Sequence, residues 1–272
     1  MVVYQDLSKM SKKNIKLLNK KFNRPITCLT AYSSPVAKII DGLVDLVLVG
    51  DSLGTTLYGM KNTQSVTLEM MINHGAAVCN FINKSITMVD MPYKTYDNKS
   101  EAFKNSAKLL GRVNTNMLKI EINKSKLDVL EHLSNKKINV VAHLGVTPQS
   151  FRDFKKIKVL GKKDKEIEEL LVLAKEAESA GAKALLLECV TKKTAKIITD
   201  KVAIPTIGIG ASNSCDGQII VMDDLVNLEP DKKSPRFVKK YTNIEKVIKS
   251  SVKKYVNEVR KRKFPSIKNT YY

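Results

Sequence analysis

The feature that most constrains this chain is a set of short apolar runs that each close on an acid. Val44-Asp45-Leu46-Val47-Leu48-Val49 leads into Gly50-Asp51-Ser52-Leu53-Gly54, Ile86-Thr87-Met88-Val89 into Asp90-Met91-Pro92, and Met117-Leu118-Lys119-Ile120 into Glu121. Short β-branched runs closed by glycine or a turn read as buried strands of a parallel sheet. Because side chains alternate along a strand, Val49 is expected to share a face with Asp51, Met88 with Asp90, and Lys119 with Glu121. Three carboxylates and a lysine at the mouths of three parallel strands suggest one hard-metal site, placed where an α/β barrel keeps its chemistry.

The remaining chain supplies the other staves. Pro25–Thr30, Asn139–His143, Ala184–Glu188, Ile204–Gly210 and Gly217–Val221 complete eight runs, most with a helical pattern between them. Helices are expected at Ser34–Ile40, Thr67–Phe81, Leu127–Leu133 and Asp164–Ala180, the last stopped by Gly181, and Asn98-Lys99-Ser100-Glu101 has the form of a capping box opening a helix through Leu110. Asp6–Phe22 reads as an amphipathic N-terminal helix on the barrel floor, and Asn243–Lys261 as a basic amphipathic C-terminal one. This pattern favours a (β/α)8 TIM barrel with an N-terminal helix and a C-terminal helical extension over an open doubly wound sheet. No linker-like stretch divides the 272 residues, so a single domain over 1–272 is expected.

Composition excludes more than it assigns. The four cysteines are widely spaced, with no Cys-x-x-Cys pair and no secretory apolar segment at the start, which fits a reducing cytoplasm. No apolar run approaches the roughly 18 residues of a membrane span. The net charge of +20 raises the question of nucleic acid. Yet the excess is mostly dispersed lysine, arginine is scarce, and aromatic content is 6%, so a solvated basic surface is expected in place of a nucleic-acid site.

Asp51, Asp90 and Glu121 are hard oxygen donors suited to Mg2+, which keeps waters and takes few direct carboxylates. The bland reading is that they cap strand ends by bonding loop amides. Lys119 can hold an anionic substrate group or pair with a carboxylate, and His143 can bind substrate or be a satisfied core histidine. His74 and His132 lie in helical patterns and read as structural. Glu188 ends a wholly apolar strand, where burial raises a carboxylate's pKa and makes a usable general base. Gly145–Lys163 is long, polar and turn-rich, a lid or substrate loop.

Thr30-Ala31-Tyr32, Val49–Gly54, Asp90-Met91-Pro92, Lys119-Ile120-Glu121, Gly145–Ser150, Leu187–Val190 and Ile207–Ala211 with Asp216-Gly217-Gln218 occur in this order. Together they resemble the ketopantoate (3-methyl-2-oxobutanoate) hydroxymethyltransferase family from about Arg24 to Phe264. The resemblance implies a barrel enzyme of pantothenate synthesis that moves a one-carbon unit from 5,10-methylenetetrahydrofolate to 3-methyl-2-oxobutanoate, with water, giving 2-dehydropantoate through a Mg2+-stabilised enolate. It implies Asp51, Asp90 and Glu121 as the Mg2+ site, Ser52 and Lys119 as substrate contacts, Glu188 as the proton acceptor, and a ring-based homo-oligomer, a decamer. Asp51, Asp90 and His143 are counted with the substrate contacts. Asn114-Thr115 stand where the family usually has Gly-Ala, asparagine being a tolerable residue for left-handed backbone. Lys155, Lys156 and Lys162 alter the usual lid. The nearest rival is another Mg2+-enolate barrel of the phosphoenolpyruvate mutase or isocitrate lyase type, whose common Lys-Cys-Gly-His motif is absent here.

Overall fold

The computed structural model describes residues 24–229 and 234–271. The expected helix at 6–22 lies outside them. The chain divides into two compact units, one ending at Ile220 and the other beginning at Val221.

The first unit is a closed, all-parallel barrel in sequential strand order: β1 Ile26–Thr30, β2 Leu46–Val49, β3 Ile86–Asp90, β4 Met117–Glu121, β5 Val140–Gly145, β6 Ala184–Glu188, β7 Thr206–Ile209 and β8 Gly217–Ile220, with β8 pairing back onto β1. Helices α1 Ser34–Ile40, α2 Leu53–Thr56, α3 Leu68–Cys79, α4 Lys99–Leu110, α5 Leu127–Asn135, α6 Asp164–Ser179 and α7 Lys192–Lys201 fill the connections between successive strands, except that β7 runs to β8 with no helix. Local chemistry starts and stops them as the sequence requires. Asn98 Oδ1 accepts the Glu101 N–H at 2.9 Å to cap α4, Thr67 Oγ1 accepts the Met70 N–H at 3.2 Å to cap α3, and Gly181 follows α6 with φ +96°. The left-handed expectation for Asn114 is not met, since its φ is not positive.

Two apolar layers result from the period of two along each strand. Leu46, Leu48, Ile86, Met88, Met117, Val141, Ala184, Leu186 and Ile207 fill the barrel interior. Val47, Val49, Val89, Leu118, Ile120, Val140, Ala142, Leu185 and Leu187 pack outward against the helices. Each fully buried Val, Leu, Ile or Met among them contributes roughly 1.5–3 kcal/mol.

The floor of the barrel carries a repeated brace. The Thr27 N–H and hydroxyl donate to Asp45 Oδ2 (2.9 and 2.8 Å), those of Thr87 to Asn116 Oδ1 (both 2.9 Å), and those of Thr206 to Asp216 Oδ2 (2.8 and 3.0 Å). In each case the Asp or Asn N–H donates back to the threonine oxygen, at 3.2, 3.1 and 3.2 Å. The acidic or amide residue is always the one just before an even-numbered strand, so the brace ties the bases of β1 to β2, β3 to β4 and β7 to β8.

In the second unit, α8 Met222–Val226 ends at Asn227 in the left-handed region, and α9 Ile244–Arg260 is capped by Asn243, which accepts the Lys246 N–H at 3.0 Å. Val247, Ile248, Val252 and Tyr255 of α9 are exposed. Among the described residues no helix is long and apolar enough to cross a membrane.

Candidate active site

The mouth of the barrel gathers Asp51, Asp90, Lys119, Glu121 and His143, all buried, with Glu188 beside them. Asp90, Lys119, Glu121 and His143 point inward because they sit at even spacing from Met88, Met117 and Val141 of the interior layer. Asp51 arrives differently from the expectation. β2 stops at Val49, which faces the helices, and Leu46 and Leu48 take the inward positions. The inward place after Leu48 falls to Gly50, and the turn there re-aims Asp51 into the site. A methyl group on Gly50 would stand 2.9 Å from Ser52 Oγ and 3.6 Å from Asp90 Oδ2, so the missing side chain keeps open the space those two groups border. Ser52 Oγ also lies 2.8 Å from the Tyr32 hydroxyl.

Lys119 Nζ sits 3.0 Å from Asp90 Oδ2, which also accepts the Asp51 N–H at 3.0 Å. Lys119 Nζ is 3.4 Å from His143 Nδ1. An ammonium has no lone pair, so Nδ1 accepts and the ring proton resides on Nε2. His143 Nε2 then faces Glu188 Oε2 at 3.2 Å, close enough for attraction yet without the alignment of a hydrogen bond.

Burial dominates the proton equilibria. It raises the carboxyls of Asp51 and Glu121, against the pull of Lys119, and pushes Asp90 up to about 7. Burial works against the Lys119 charge too, but Asp90, Asp51 and Glu121 outweigh it and hold the ammonium protonated. Burial and the Lys119 charge keep His143 below its ordinary value, hence neutral at pH 7. The Cys189 thiol, next to Glu188, is pushed up to about 12 by burial and that carboxylate, so it is no thiolate nucleophile.

Three carboxylates therefore face one ammonium, and full ionisation would leave a deficit of two positive charges. Asp90 Oδ1 is buried with no hydrogen-bond partner. An orphaned carboxylate oxygen in an over-acidic pocket of hard donors fits a divalent cation. Among the described residues no three His, Cys, Asp or Glu side chains converge closely enough to hold a metal by themselves, and Mg2+ needs few direct carboxylates.

Glu188 departs from the expectation of burial: its side chain is 20% exposed, and the desolvated acids are those of β2 to β4. What fixes it is backbone. Its carbonyl accepts the Val146 N–H at 2.9 Å, and Gly145, at φ +91°, packs so tightly that an added Cβ would meet that carbonyl oxygen at 2.3 Å. Only glycine permits this approach. Cys189 follows with φ 50°, a left-handed turn that ends β6 immediately after the acid.

Two residues do more at the site than the sequence suggests: Gln149, expected with Thr147 to close over Glu188 as part of the lid, and Tyr96, which no pattern singles out. Gln149, in the segment read as a lid, is 4% exposed and lies at the centre of the carboxylates. Its side-chain N–H2 donates to Asp51 Oδ2 (2.8 Å) and to the Met91 carbonyl (3.1 Å), and its backbone N–H donates to both Glu121 oxygens at 3.2 Å. Tyr96, buried in the loop after β3, donates to Gln149 Oε1 at 2.5 Å and accepts the Glu121 N–H at 3.2 Å. Burial and Glu121 keep its phenol protonated. Neither belongs to a periodic run; Gln149 alone had a signal, its place in the Gly145–Ser150 motif. His74 and His132 are structural: His74 bonds the Tyr32 carbonyl at 2.7 Å, and His132 meets Phe103 edge-on.

Known proteins resemble this chain over most of its length. A 3-methyl-2-oxobutanoate hydroxymethyltransferase of Pelagibacter ubique (strain HTCC1062) is 44% identical over 265 residues, covering 96% of this chain and all of that protein. One of Rhizobium rhizogenes is 41% identical over 252 residues, covering 92% of each. Among solved structures, the phosphoenolpyruvate phosphomutase of Streptomyces platensis subsp. rosaceus has a TM-score of 0.59 at 9% identity, covering 89% of this chain and 85% of that one. A phosphonopyruvate hydrolase complex with oxalate and Mg2+ has a TM-score of 0.57 at 12% identity, covering 90% and 88%. Those two show the fold alone. The family model that describes ketopantoate hydroxymethyltransferase matches residues 10–267, and with relatives this similar over nearly their whole length, the chain belongs to that family.

Proposed function

We propose that the protein transfers a hydroxymethyl group to 3-methyl-2-oxobutanoate, giving 2-dehydropantoate, with 5,10-methylenetetrahydrofolate as the one-carbon donor. The observation that supports this most is the pairing of a desolvated, over-acidic pocket at Asp51, Asp90 and Glu121 with a more accessible carboxylate, Glu188, beside a neutral histidine. Mg2+ would be held by Asp51 and Asp90, with Glu121 directly or through water, and would supply Lewis-acid polarisation of the ketoacid's keto oxygen. Lys119 meets the negative charge of the bound ketoacid, and Ser52 Oγ hydrogen-bonds it from the side that Gly50 leaves open. Glu188 Oε2 takes the proton from C3, the carbon next to the keto group. His143, neutral and with its proton on Nε2, turns that polar N–H edge toward Glu188 Oε2 at 3.2 Å. The C3 carbon so exposed forms the new C–C bond to the folate's methylene carbon, whose two bonds to nitrogen break; water supplies the hydroxyl oxygen and tetrahydrofolate leaves. Thr147 and Gln149 roof the pocket and limit water.

A single domain over 1–272, a cytoplasmic location and a ring-shaped homo-oligomer belong to the same reading. The exposed apolar side chains of α9 are surface of the kind that assembly buries. A phosphoenolpyruvate mutase-like activity has only the shared barrel in its favour, at 9–14% identity.

The test isolates deprotonation. In deuterated water, without the folate, the wild type with Mg2+ should exchange the C3 hydrogen of 3-methyl-2-oxobutanoate, and Glu188→Gln should lose about 10²–10⁴-fold of that rate while still binding the ketoacid. Exchange at the wild-type rate in the variant would remove Glu188 as the base. Formation of 2-dehydropantoate only when both Mg2+ and the folate donor are present checks the full reaction.

A further inference from the structure

Gln149 ties together the ends of three successive strands other than the one its own loop follows. From the loop after β5 it reaches Asp51 beyond β2, the Met91 carbonyl beyond β3, and Glu121 at the end of β4, and the Tyr96 hydroxyl closes the set. The proton positions follow from elimination. The Glu121 backbone N–H can only donate, so the Tyr96 oxygen accepts there and its own hydrogen goes to Gln149 Oε1. That fixes the amide: its oxygen faces Tyr96 and its N–H2 group faces Asp51 and the Met91 carbonyl. An amide flip would set the N–H2 against a hydroxyl whose own hydrogen then lacks an acceptor, and turn Oε1 onto a carboxylate and a carbonyl.

The choice of side chain is also determined. A glutamate here would add a fourth charge to an already over-acidic pocket, and a lysine would have nothing to accept the Tyr96 proton. A neutral side chain of this length that accepts at one atom and donates at the other is required, and glutamine supplies it. We propose that Gln149 is a positioning residue that sets the orientation of the Asp51 and Glu121 carboxylates, and that Tyr96 acts through it by locking the amide. This rests on the reading that Asp51 and Glu121 serve the metal and ketoacid.

The test uses Mn2+ as a paramagnetic probe of the purified full-length protein, with free Mn2+ measured by electron paramagnetic resonance, together with C3 hydrogen exchange as a function of Mn2+. Gln149→Met keeps length and apolar volume but neither donates nor accepts as an amide does, and should weaken Mn2+ binding by about 10–100-fold, the usual effect of removing a partner that orients a metal ligand. Tyr96→Phe should weaken it by about fivefold, the worth of one neutral hydrogen bond, and should recover its exchange rate at saturating Mn2+. The double variant should bind no more weakly than Gln149→Met, because the Tyr96 contribution passes through the amide. Losses that add in the double variant, with melting temperature falling in parallel, would make both residues merely structural and overturn the proposal. So would Mn2+ affinity unchanged in Gln149→Met. If that variant does not fold, Tyr96→Phe decides alone, and unchanged affinity in it overturns the proposal. Failure of the wild type to bind Mn2+ at all would instead sink the functional reading on which this one stands.

Discussion

The floor and the mouth of this barrel both carry carboxylates at strand ends, and Asp45 at the floor lives in electrostatic conditions opposite to those of Asp51, Asp90 and Glu121 at the mouth. At the floor, burial pushes Asp45 up, but the Arg24 guanidinium and the Thr27 N–H and hydroxyl outweigh it and hold the carboxyl below its ordinary value of 3.8. At the mouth, burial wins: Asp51 and Glu121 are raised and Asp90 reaches about 7. A carboxylate lowered in the fold stabilises it when ionised; one raised in the fold destabilises it when ionised. Asp45 thus stabilises the fold, whereas ionising the mouth acids costs stability, the division expected of a barrel with its chemistry at the C-terminal ends of the strands.

The largest test of that division is Asp90→Asn. It should reduce Mg2+-dependent ketoacid binding by more than about 100-fold while circular dichroism and the barrel stay intact. A metal titration unchanged in this variant would take Asp90 out of the site and blur the distinction. At the other end, Asp45→Ala should cost about 2 kcal/mol of stability through lost charge-assisted hydrogen bonds, with turnover per folded enzyme unaltered. The pH dependence sharpens it. Asp45's contribution is present above its unfolded pKa and lost as pH falls through the lower folded value, so the wild-type and variant unfolding curves should differ fully at pH 7 and converge only below about pH 4. Convergence at neutral pH would show that the brace carries nothing.

Glu121→Gln should have a smaller effect, of the opposite sign. Because the Glu121 carboxyl is raised, its protonated form is favoured in the fold, and that stability is present below the unfolded pKa and lost as pH rises through the folded one. The metal-free variant should therefore melt about 2–4 °C above the wild type at pH 8, and the gain should disappear near pH 4. A lower melting temperature at pH 8 would mean that Glu121 is stabilising as it stands and that the mouth is not charge-strained.

Most of the barrel was legible because its signal is periodic. The eight apolar runs and the inward parity of Asp90, Lys119, Glu121 and His143 follow from alternation alone. Asp51 was found and its route misread, because a turn at Gly50 resets a phase that counting cannot see. Glu188 was found but assigned a burial it does not have, since the apolar run before it says nothing about the open space beyond the strand. Gln149 and Tyr96 stand outside every periodic segment, and their roles depend on contacts across 53 positions between the two and 98 between Gln149 and Asp51. Only folding brings such residues into one network.

The threonine brace has an engineering consequence. Counting register along the base of each odd-to-even strand pair, the positions held by Thr27 with Asp45, Thr87 with Asn116 and Thr206 with Asp216 correspond to Val140 and Lys183 between β5 and β6. The barrel is a hoop of four double planks, of which three are riveted at the base and the fourth, bearing His143 and Glu188, is not. Installing Val140→Thr with Lys183→Asp would add the missing rivet on the far side of the barrel from the chemistry. That makes the pair a place to seek thermal tolerance while leaving the carboxylates of the mouth untouched.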